Sequence, residues 1–337
     1  MEFKKYLLKV TTGENLTREE AKDAVNFMFS EESTEGEIGG FLLALKTKGE
    51  TYEEIAGMAE GMRENAVNFN YIEGLFDNCG TGGDCSGSFN ISTTSCFVLA
   101  AAGIKVAKHG NRSISSKSGS ADLLKSLGVN IELPKEWIER LLNDIGLVFL
   151  FAPNMHPKLK KIMKVRRDLK IPTIFNILGP LANPFKLEYQ LLGVYKKDLV
   201  EPVAKALQTM GVKGIVVNGE NRLDEATLSG ETYLAIIKDG EIEYKTITPE
   251  SIGFERITLD DIKGGDPEVN KQITMDVLNG KKGPCRDTIL YNSALGLLAT
   301  DKVKTIEEGI KLAAELIDSK KALSKLNELL EGSLENA

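Results

Sequence analysis

Residues 107–124, AKHGNRSISSKSGSADLL, set Lys108, His109, Arg112 and Lys117 among five serines and two glycines. Cations, hydroxyls and amides this dense suit a ligand carrying several phosphates, because each anionic oxygen takes a charge-assisted hydrogen bond. A second stretch, DNCGTGGD at 77–84, places Gly80, Gly82 and Gly83 directly after an apolar run. Glycine admits positive φ and close backbone approach, and successive amides in such a turn form a concave anion site. The spacing is neither that of a Walker A loop nor that of a dinucleotide fingerprint, and alone it reads as a structural turn. The next residues change that reading. Asn90-Ile91-Ser92-Thr93-Thr94-Ser95 opens the apolar helix CFVLAAAG. Capping explains one or two polar residues there. Five in six positions fit a phosphate held at a helix N-terminus.

Three further stretches carry candidate chemistry. Asn154-Met155-His156-Pro157 follows the apolar run LVFLFA, where Met155 and His156 suit one wall of a pocket for an aromatic ring. The helix KLKKIMKVRR comes next, and either Arg166 or Arg167 could turn inward to pair with a carboxylate. The segment from Asn176 to Pro184, NILGPLANP, has glycine and prolines that fix a rigid turn. Finally, Asp224-Glu225 in LDEAT follows GIVVNGE at one loop's remove. Mg²⁺ is commonly held by one or two carboxylates plus substrate phosphates, which gives this pair a purpose beside a polyphosphate. Asp84 is a weaker candidate for the same task. Asp122 reads as the cap of the helix that follows Ser120.

These residues need a scaffold. The first 67 residues hold three helix-start signatures, Thr17-x-x-Glu20, Thr34-x-x-Glu37 and Thr51-x-x-Glu54. With an earlier helix through Phe3, Tyr6, Leu7 and Val10 they make a four-helix bundle with a small core, which needs cover from the rest of the chain or from a second copy. From about residue 73 strands alternate with helices. The strands expected are Leu75–Cys79, Ile104–Ala107, Leu147–Phe151, Thr173–Ile177, Glu188–Tyr195, Lys213–Val217 and Glu231–Ile237. KDGE at 238–241 reads as a hairpin turn leading to Ile242–Ile247. The fold class is α/β, a mostly parallel sheet flanked by helices. A smaller all-α domain spans residues 1–70, joined by helices inserted within 130–170; segments 135–144 and 156–168 are the candidates. Residues 71–337 form the α/β domain. In such a sheet the loops at the carboxyl ends of neighbouring strands line one crevice, so the first two stretches would face each other across a ligand.

Composition excludes other classes. Among 337 residues the net charge is −7, which gives no electrostatic case for nucleic acid or an anionic membrane. No apolar run approaches a membrane span. The N-terminal MEFKKYLLKVTTGEN has no apolar core of a secretory signal, so the expected location is cytoplasmic. Cys79, Cys85, Cys96 and Cys285 form no C-x-x-C pair and there are two histidines, so a Cys/His zinc site is not expected and the thiols read as free.

Taken together, DNCGTGGD, NIST at 90–93, KHGNRSISSKSGSAD, FAPNMHP, VRRDL, FNILGPLANP and LDEAT resemble, in the same order, the anthranilate phosphoribosyltransferases of the nucleoside phosphorylase/phosphoribosyltransferase superfamily. The resemblance implies a step of tryptophan biosynthesis, in which phosphoribosyl pyrophosphate and anthranilate give N-(5-phosphoribosyl)anthranilate and pyrophosphate. It implies a phosphoribosyl site of Gly80, Gly83, Asp84, Ser88, Asn90, Ile91, Ser92, Thr93, Lys108, His109, Gly110, Asn111, Arg112, Ser113, Ile114, Ser115, Ser116 and Ser120. Anthranilate would meet Gly80, Asn111, His156, Arg166 and Pro180. Mg²⁺, two ions per monomer, would meet Ser92, Asp224 and Glu225. A homodimer through the helical domain is implied, with anthranilate synthase as a further candidate partner. Cys79 departs from the aliphatic residue of many relatives, and Cys85-Ser86-Gly87 lies in a variable loop.

No residue is assigned as a chemical catalyst. The amine of anthranilate is neutral at pH 7, so positioning and stabilisation of leaving-group charge carry the expected catalysis. His109 is expected to bond or pack rather than to act as a base. Closure of the helical part, with loop 110–118 as a cover, is expected to exclude water.

Overall fold

The computed structural model describes residues 2–113 and 117–335. The first four helices are α1 (Glu2–Thr11), α2 (Arg18–Phe29), α3 (Glu35–Lys48) and α4 (Tyr52–Glu64). Each threonine of the three Thr-x-x-Glu signatures accepts from the amide three residues on, and each glutamate returns a bond to the threonine amide. All three are complete capping boxes, so the start points are fixed locally. Gly57 and Gly61 stand four apart on α4, where a Cβ would meet backbone of α2 at Arg18 and Lys22. Their bareness lets the two helices touch.

The rest of the chain continues as β1 (Leu75–Gly80), α5 (Ile91–Ala101), β2 (Lys105–Gly110), α6 (Ser120–Ser126), α7 (Lys135–Asp144), β3 (Leu147–Phe151), α8 (Ala152–Met155), α9 (Lys160–Leu169), α10 (Phe175–Leu181), β4 (Tyr189–Gly193), α11 (Val200–Thr209), β5 (Lys213–Gly219), β6 (Thr232–Lys238), β7 (Glu241–Ile247) and α12 to α15 (Pro267–Leu278, Pro284–Ala299, Ile306–Asp318, Lys321–Leu334). The seven strands run in the order β3-β2-β1-β4-β5-β6-β7. β1 to β5 pair in parallel, and β6 and β7 complete the sheet antiparallel. The expected α/β class therefore holds. The β6–β7 turn uses Asp239 and Gly240 at φ 51° and 82°, the left-handed pair that a two-residue hairpin requires.

One face of the sheet carries α5 and α12–α15 in a core that includes Phe97, Leu99, Tyr291 and Leu295. The other face carries α11, and its core runs without a break into the helical bundle through Val203, Leu207, Val216, Ile55 and Met58. The bundle thus finds on the sheet the cover that its own small core lacks.

Two expectations need correction. Thr173–Ile177 is not a strand, and Phe175–Leu181 is helical. A short β-branched apolar run has no period to separate strand from buried helix. Here Asn176 decides, its Oδ1 accepting from the Thr173 amide at 3.1 Å and folding the chain back at the helix start. Gly179 and Pro180, read as a turn, lie in the last turn of that helix. Of the two middle segments, α9 packs on the bundle through Ile162 and Val165. α7 does not, because Ile138, Leu141 and Leu142 bury against Val148 and Leu150 of β3.

Inside the bundle Glu54 is fully buried, accepting from the Leu16 amide (2.9 Å), the Thr51 amide (2.8 Å) and Lys48 Nζ (2.9 Å). Glu54→Ala would leave the Leu16 and Thr51 amides without their acceptor and take the carboxylate from Lys48, whose Nζ keeps Asn15 Oδ1 and the Gly49 carbonyl. Chemical denaturation should show a loss of about 2–4 kcal/mol.

Candidate active site

β1 lies between β2 and β4, and the chain leaves it toward β2 on one side and leaves β4 toward β5 on the other. This reversal opens a crevice at the carboxyl ends of β1 and β4. The loop after β1 carries Gly82, Gly83, Cys85 and Gly87 at φ 66°, 77°, 56° and 67°. Repeated left-handed backbone of this kind is the material of anion-binding concavities.

The crevice is closed from the β5 side by the loop holding Asp224 and Glu225. Asp224 Oδ2 accepts from the Gly82 amide at 2.6 Å, and Glu225 Oε1 accepts from the Ser92 amide at 3.1 Å. Glu225 thereby caps α5 from 133 residues away, while Asn90 makes no side-chain cap bond of its own. A Cβ on Gly193 would overlap the Asp224 backbone, and one on Gly80 would overlap its carboxylate. Glycine at both strand ends is what admits the acidic loop. Asp84 faces the same pair. Desolvation, then the Asp84 and Glu225 charges, push the Asp224 carboxyl well above its ordinary range. Desolvation raises Glu225 to about 7 against the opposing charge of Lys108.

The second loop is organised from below. Lys108 is buried and donates to the Asn78 carbonyl at 2.6 Å, while Asn78 Nδ2 donates to the Ser92 carbonyl at 2.7 Å. Asp77, buried in β1, accepts from the His109 amide (3.3 Å) and from Asn183 Nδ2 (2.9 Å). Asp122 Oδ2 takes the amides of Ser113 (3.1 Å) and Gly119 (2.9 Å), drawing the two ends of the serine loop together as a structural cap should. Ser120 Oγ donates to the Asn111 carbonyl at 3.2 Å, and Gly110 lies so close to Ser120 and Phe149 that no Cβ fits.

A third group forms around the C-terminus of α10. Gly179 bonds His109, Pro180 O accepts from Gln190 Nε2 (2.8 Å), Leu181 O accepts from Arg63 Nε (2.9 Å), and Ala182 bonds His156. The Nε2 atoms of both histidines are buried and, among the described residues, have no hydrogen-bond partner. The two rings meet edge to face at 5.2 Å. Burial lowers the pKa of His109 to about 3 and that of His156 to about 4, so both are neutral at pH 7. Arg166 turns inward over the Phe175 ring, 5.7 Å from its centroid, with Nη2 3.5 Å from Asn176 Oδ1. Among the described residues it meets no carboxylate. Arg167 is exposed.

Sequence comparison matches residues 4–66 to the helical bundle domain, and 73–323 to the a/b domain, of the glycosyl transferase family. Anthranilate phosphoribosyltransferases of Bacillus cereus (strain B4264) and Bacillus anthracis (strain A0248) are each 54% identical over 98% of this chain and 97% of their own. The structure of the Thermus thermophilus enzyme superposes with a TM-score of 0.93 at 38% identity, covering 97% of this chain and 99% of that one. The Saccharomyces cerevisiae enzyme in complex with PRPP and Mg gives 0.89 at 28% identity, covering 99% and 98%.

The chain belongs to the anthranilate phosphoribosyltransferase family.

In this family member the residues expected at one site fall into three neighbouring groups. Gly80, Gly83, Asp84, Ser92, Lys108, Asp224 and Glu225 surround the crevice. His109, His156, Arg166 and Pro180 gather around α10. Gly110, Asn111, Arg112, Ser113 and Ser120 flank the serine loop, and Ile114, Ser115 and Ser116 lie outside the described residues. The side chains of Ile91 and Thr93 are buried, so only their backbone is available to a ligand. Ser88 pairs with Lys263 in an antiparallel bridge. Sequence reading missed Asp77, Asn78, Asn183, Gln190 and Arg63 as supports. The signal for the first two was present, since adjacent polar residues in a short buried strand need partners. Arg63 looked like an ordinary cation at a helix end.

The histidine pair predicts a pH signature. Each has a folded pKa below its unfolded value, so the unfolded chain binds more protons between about pH 6.5 and 4, and stability falls as pH falls through that window. Asp224 and Glu225, with raised values, act in the opposite sense. Comparison with His109→Gln/His156→Gln isolates the histidines: the variant should lose the acid-side decline, a difference on the order of 3 kcal/mol or more by pH 4. Parallel denaturation curves for the two proteins at pH 4 and 7 would refute it.

Proposed function

We propose that the chain transfers the phosphoribosyl group of phosphoribosyl pyrophosphate to the amine of anthranilate, a step of tryptophan biosynthesis. The observation that carries this reading is the seating of two adjacent carboxylates on the amides of the Gly-rich loop and of the α5 N-terminus. Asp84, Asp224 and Glu225 gather there with backbone donors and the more distant Lys108, an excess of negative charge that suits a divalent cation together with phosphates. Among the described residues no three acidic, histidine or cysteine side chains stand close enough to hold a metal by themselves. Asp224, Glu225 and Ser92 would hold Mg²⁺, two ions per monomer, which supplies charge stabilisation to the departing pyrophosphate.

The chain's own residues do the rest by position. The amides of the loop after β1 and the free end of α5 receive phosphate oxygens. Arg166, turned inward with no acidic partner among the described residues, offers its guanidinium to the anthranilate carboxylate. Pro180 and the neutral imidazoles of His109 and His156 wall the ring. The amine attacks C1 as the C1–O bond to pyrophosphate breaks, and its proton leaves afterwards. Neither step requires a strong base.

The working form is a cytoplasmic homodimer. Leu8 on α1 and Leu43 on α3 are exposed apolar side chains on the helical part, and all four cysteines are free, as suits a reducing compartment. Among the described residues no helix is long and apolar enough to cross a membrane. Anthranilate synthase remains a candidate partner, testable by co-purification.

Anthranilate fluorescence is the direct assay. Signal loss should need both phosphoribosyl pyrophosphate and Mg²⁺ and should stop with EDTA; no loss under any of these conditions would end the reading. Glu225→Gln should lower turnover on the order of a hundredfold. Arg166→Met should raise the anthranilate KM about 10- to 100-fold, the worth of a charged hydrogen bond, and leave the other KM unchanged. A thousandfold fall in turnover for His109→Ala at constant KM would instead make His109 a base.

A further inference from the structure

α12 lies far along the chain from both phosphoribosyl loops, yet it touches them. One turn into it, Asn270 is 2% exposed. Its Oδ1 accepts from the Gly265 amide at 2.9 Å, and its Nδ2 donates to Asn90 Oδ1 at 2.8 Å. Asn90 in turn joins the serine loop, its Nδ2 donating to the Ser118 carbonyl at 3.1 Å and its Oδ1 receiving Ser118 Oγ at 3.2 Å. The backbone before α12 runs alongside. The Phe89 amide donates to Ile262 O (3.0 Å), the Gly264 amide donates to Gly87 O (2.8 Å), and a Cβ on Gly264 would lie 2.6 Å from Asn270 Oδ1 and 2.7 Å from Phe89 Cα. One side-chain amide thus stands at the joint of three segments.

We propose that Asn270 is a positioning residue for phosphoribosyl transfer, acting through Asn90 to hold the loop after β1 and the end of the serine loop in one register. The proposal rests on the function proposed above. Its physical basis is a competition. Asn is among the best N-cap residues, and Asn90 sits at the N-cap of α5, yet its side chain does not cap. The two donors on Oδ1, from Asn270 and Ser118, orient the amide so that Nδ2 must face the Ser118 carbonyl. Without Asn270, Oδ1 is released to cap α5, and the tie to Ser118 is lost. The effect should fall on phosphoribosyl pyrophosphate, whose expected contacts lie on both loops, and not on anthranilate, whose pocket is built around α10.

The test compares Asn270→Asp, Asn270→Ala and Thr274→Ala. Asp keeps the size and the acceptor for Gly265 but sets oxygen against Asn90 Oδ1. Thr274 shares the helix face and meets Thr94 Oγ1 at 2.9 Å, so Thr274→Ala reports the loss of another buried contact between α12 and α5 that leaves the Asn90 side-chain amide untouched. Calorimetry with phosphoribosyl pyrophosphate and Mg²⁺, both KM values and the thermal midpoint are read for each. Asn270→Asp should weaken phosphoribosyl pyrophosphate binding and raise its KM about tenfold, with the anthranilate KM within about twofold. Added to Asn90→Ala, it should cost little more, because the two act as one unit. Unchanged affinity in Asn270→Asp, or equal changes in both KM values that track a lowered midpoint as in Thr274→Ala, would overturn the role. A wild-type chain that fails to bind phosphoribosyl pyrophosphate would overturn the functional reading itself.

Discussion

A helix leaves its last carbonyls without intrahelical donors, and buried carbonyls must find partners elsewhere. At the end of α10 that obligation organises the molecule. Pro180 O and Leu181 O are satisfied by Gln190 from β4 and Arg63 from α4, while His109 from β2 and His156 from beyond α8 meet the backbone of Gly179 and Ala182. Four elements distant in sequence are thereby registered on one short helix. The bond from Arg63 draws in the helical bundle. Pro180 takes part without loss, since a proline lacks only the donor and its carbonyl remains. The residues proposed to wall the aromatic ring are thus the same groups that complete the fold.

The acidic loop beneath the crevice obeys a different constraint. Two buried carboxylates with the half-buried Asp84 beside them repel, and the chain tolerates this because amides of Gly82 and Ser92 meet the buried two and glycines at 80 and 193 leave room. Such a site is stable enough to form and strained enough to favour a cation. Function here is written as an electrostatic debt in a well-packed scaffold, as functional sites commonly are.

What the sequence made legible was local or periodic. The three Thr-x-x-Glu boxes needed only four residues each, and the strand–helix alternation displayed the α/β class. The Gly-rich and serine-rich loops announced themselves by composition. α10 did not, because Thr173, Ile174 and Ile177 carry strand preference and Asn176, the residue that turns the chain, is recognisable only by its bond to the Thr173 amide. Nor could α7 be placed, since an amphipathic face does not name its partner. Glu225 on Ser92, Arg63 on Leu181 and Asn270 on Asn90 join residues more than a hundred apart. No short-range pattern encodes such pairs. The choice between Arg166 and Arg167 was likewise open until the burial of α9 showed which side faces inward.

The cap that Glu225 places on α5 also orders events during synthesis. β1, α5 and β2 are contiguous and could collapse early, but the amide end of α5 stays open until the chain has passed residue 225 and β5 has paired with β4. Contacts of such long sequence separation close late. A ribosome-bound chain therefore carries the glycine loop and the serine loop before Glu225 and Asn270, the residues that brace them, have been made.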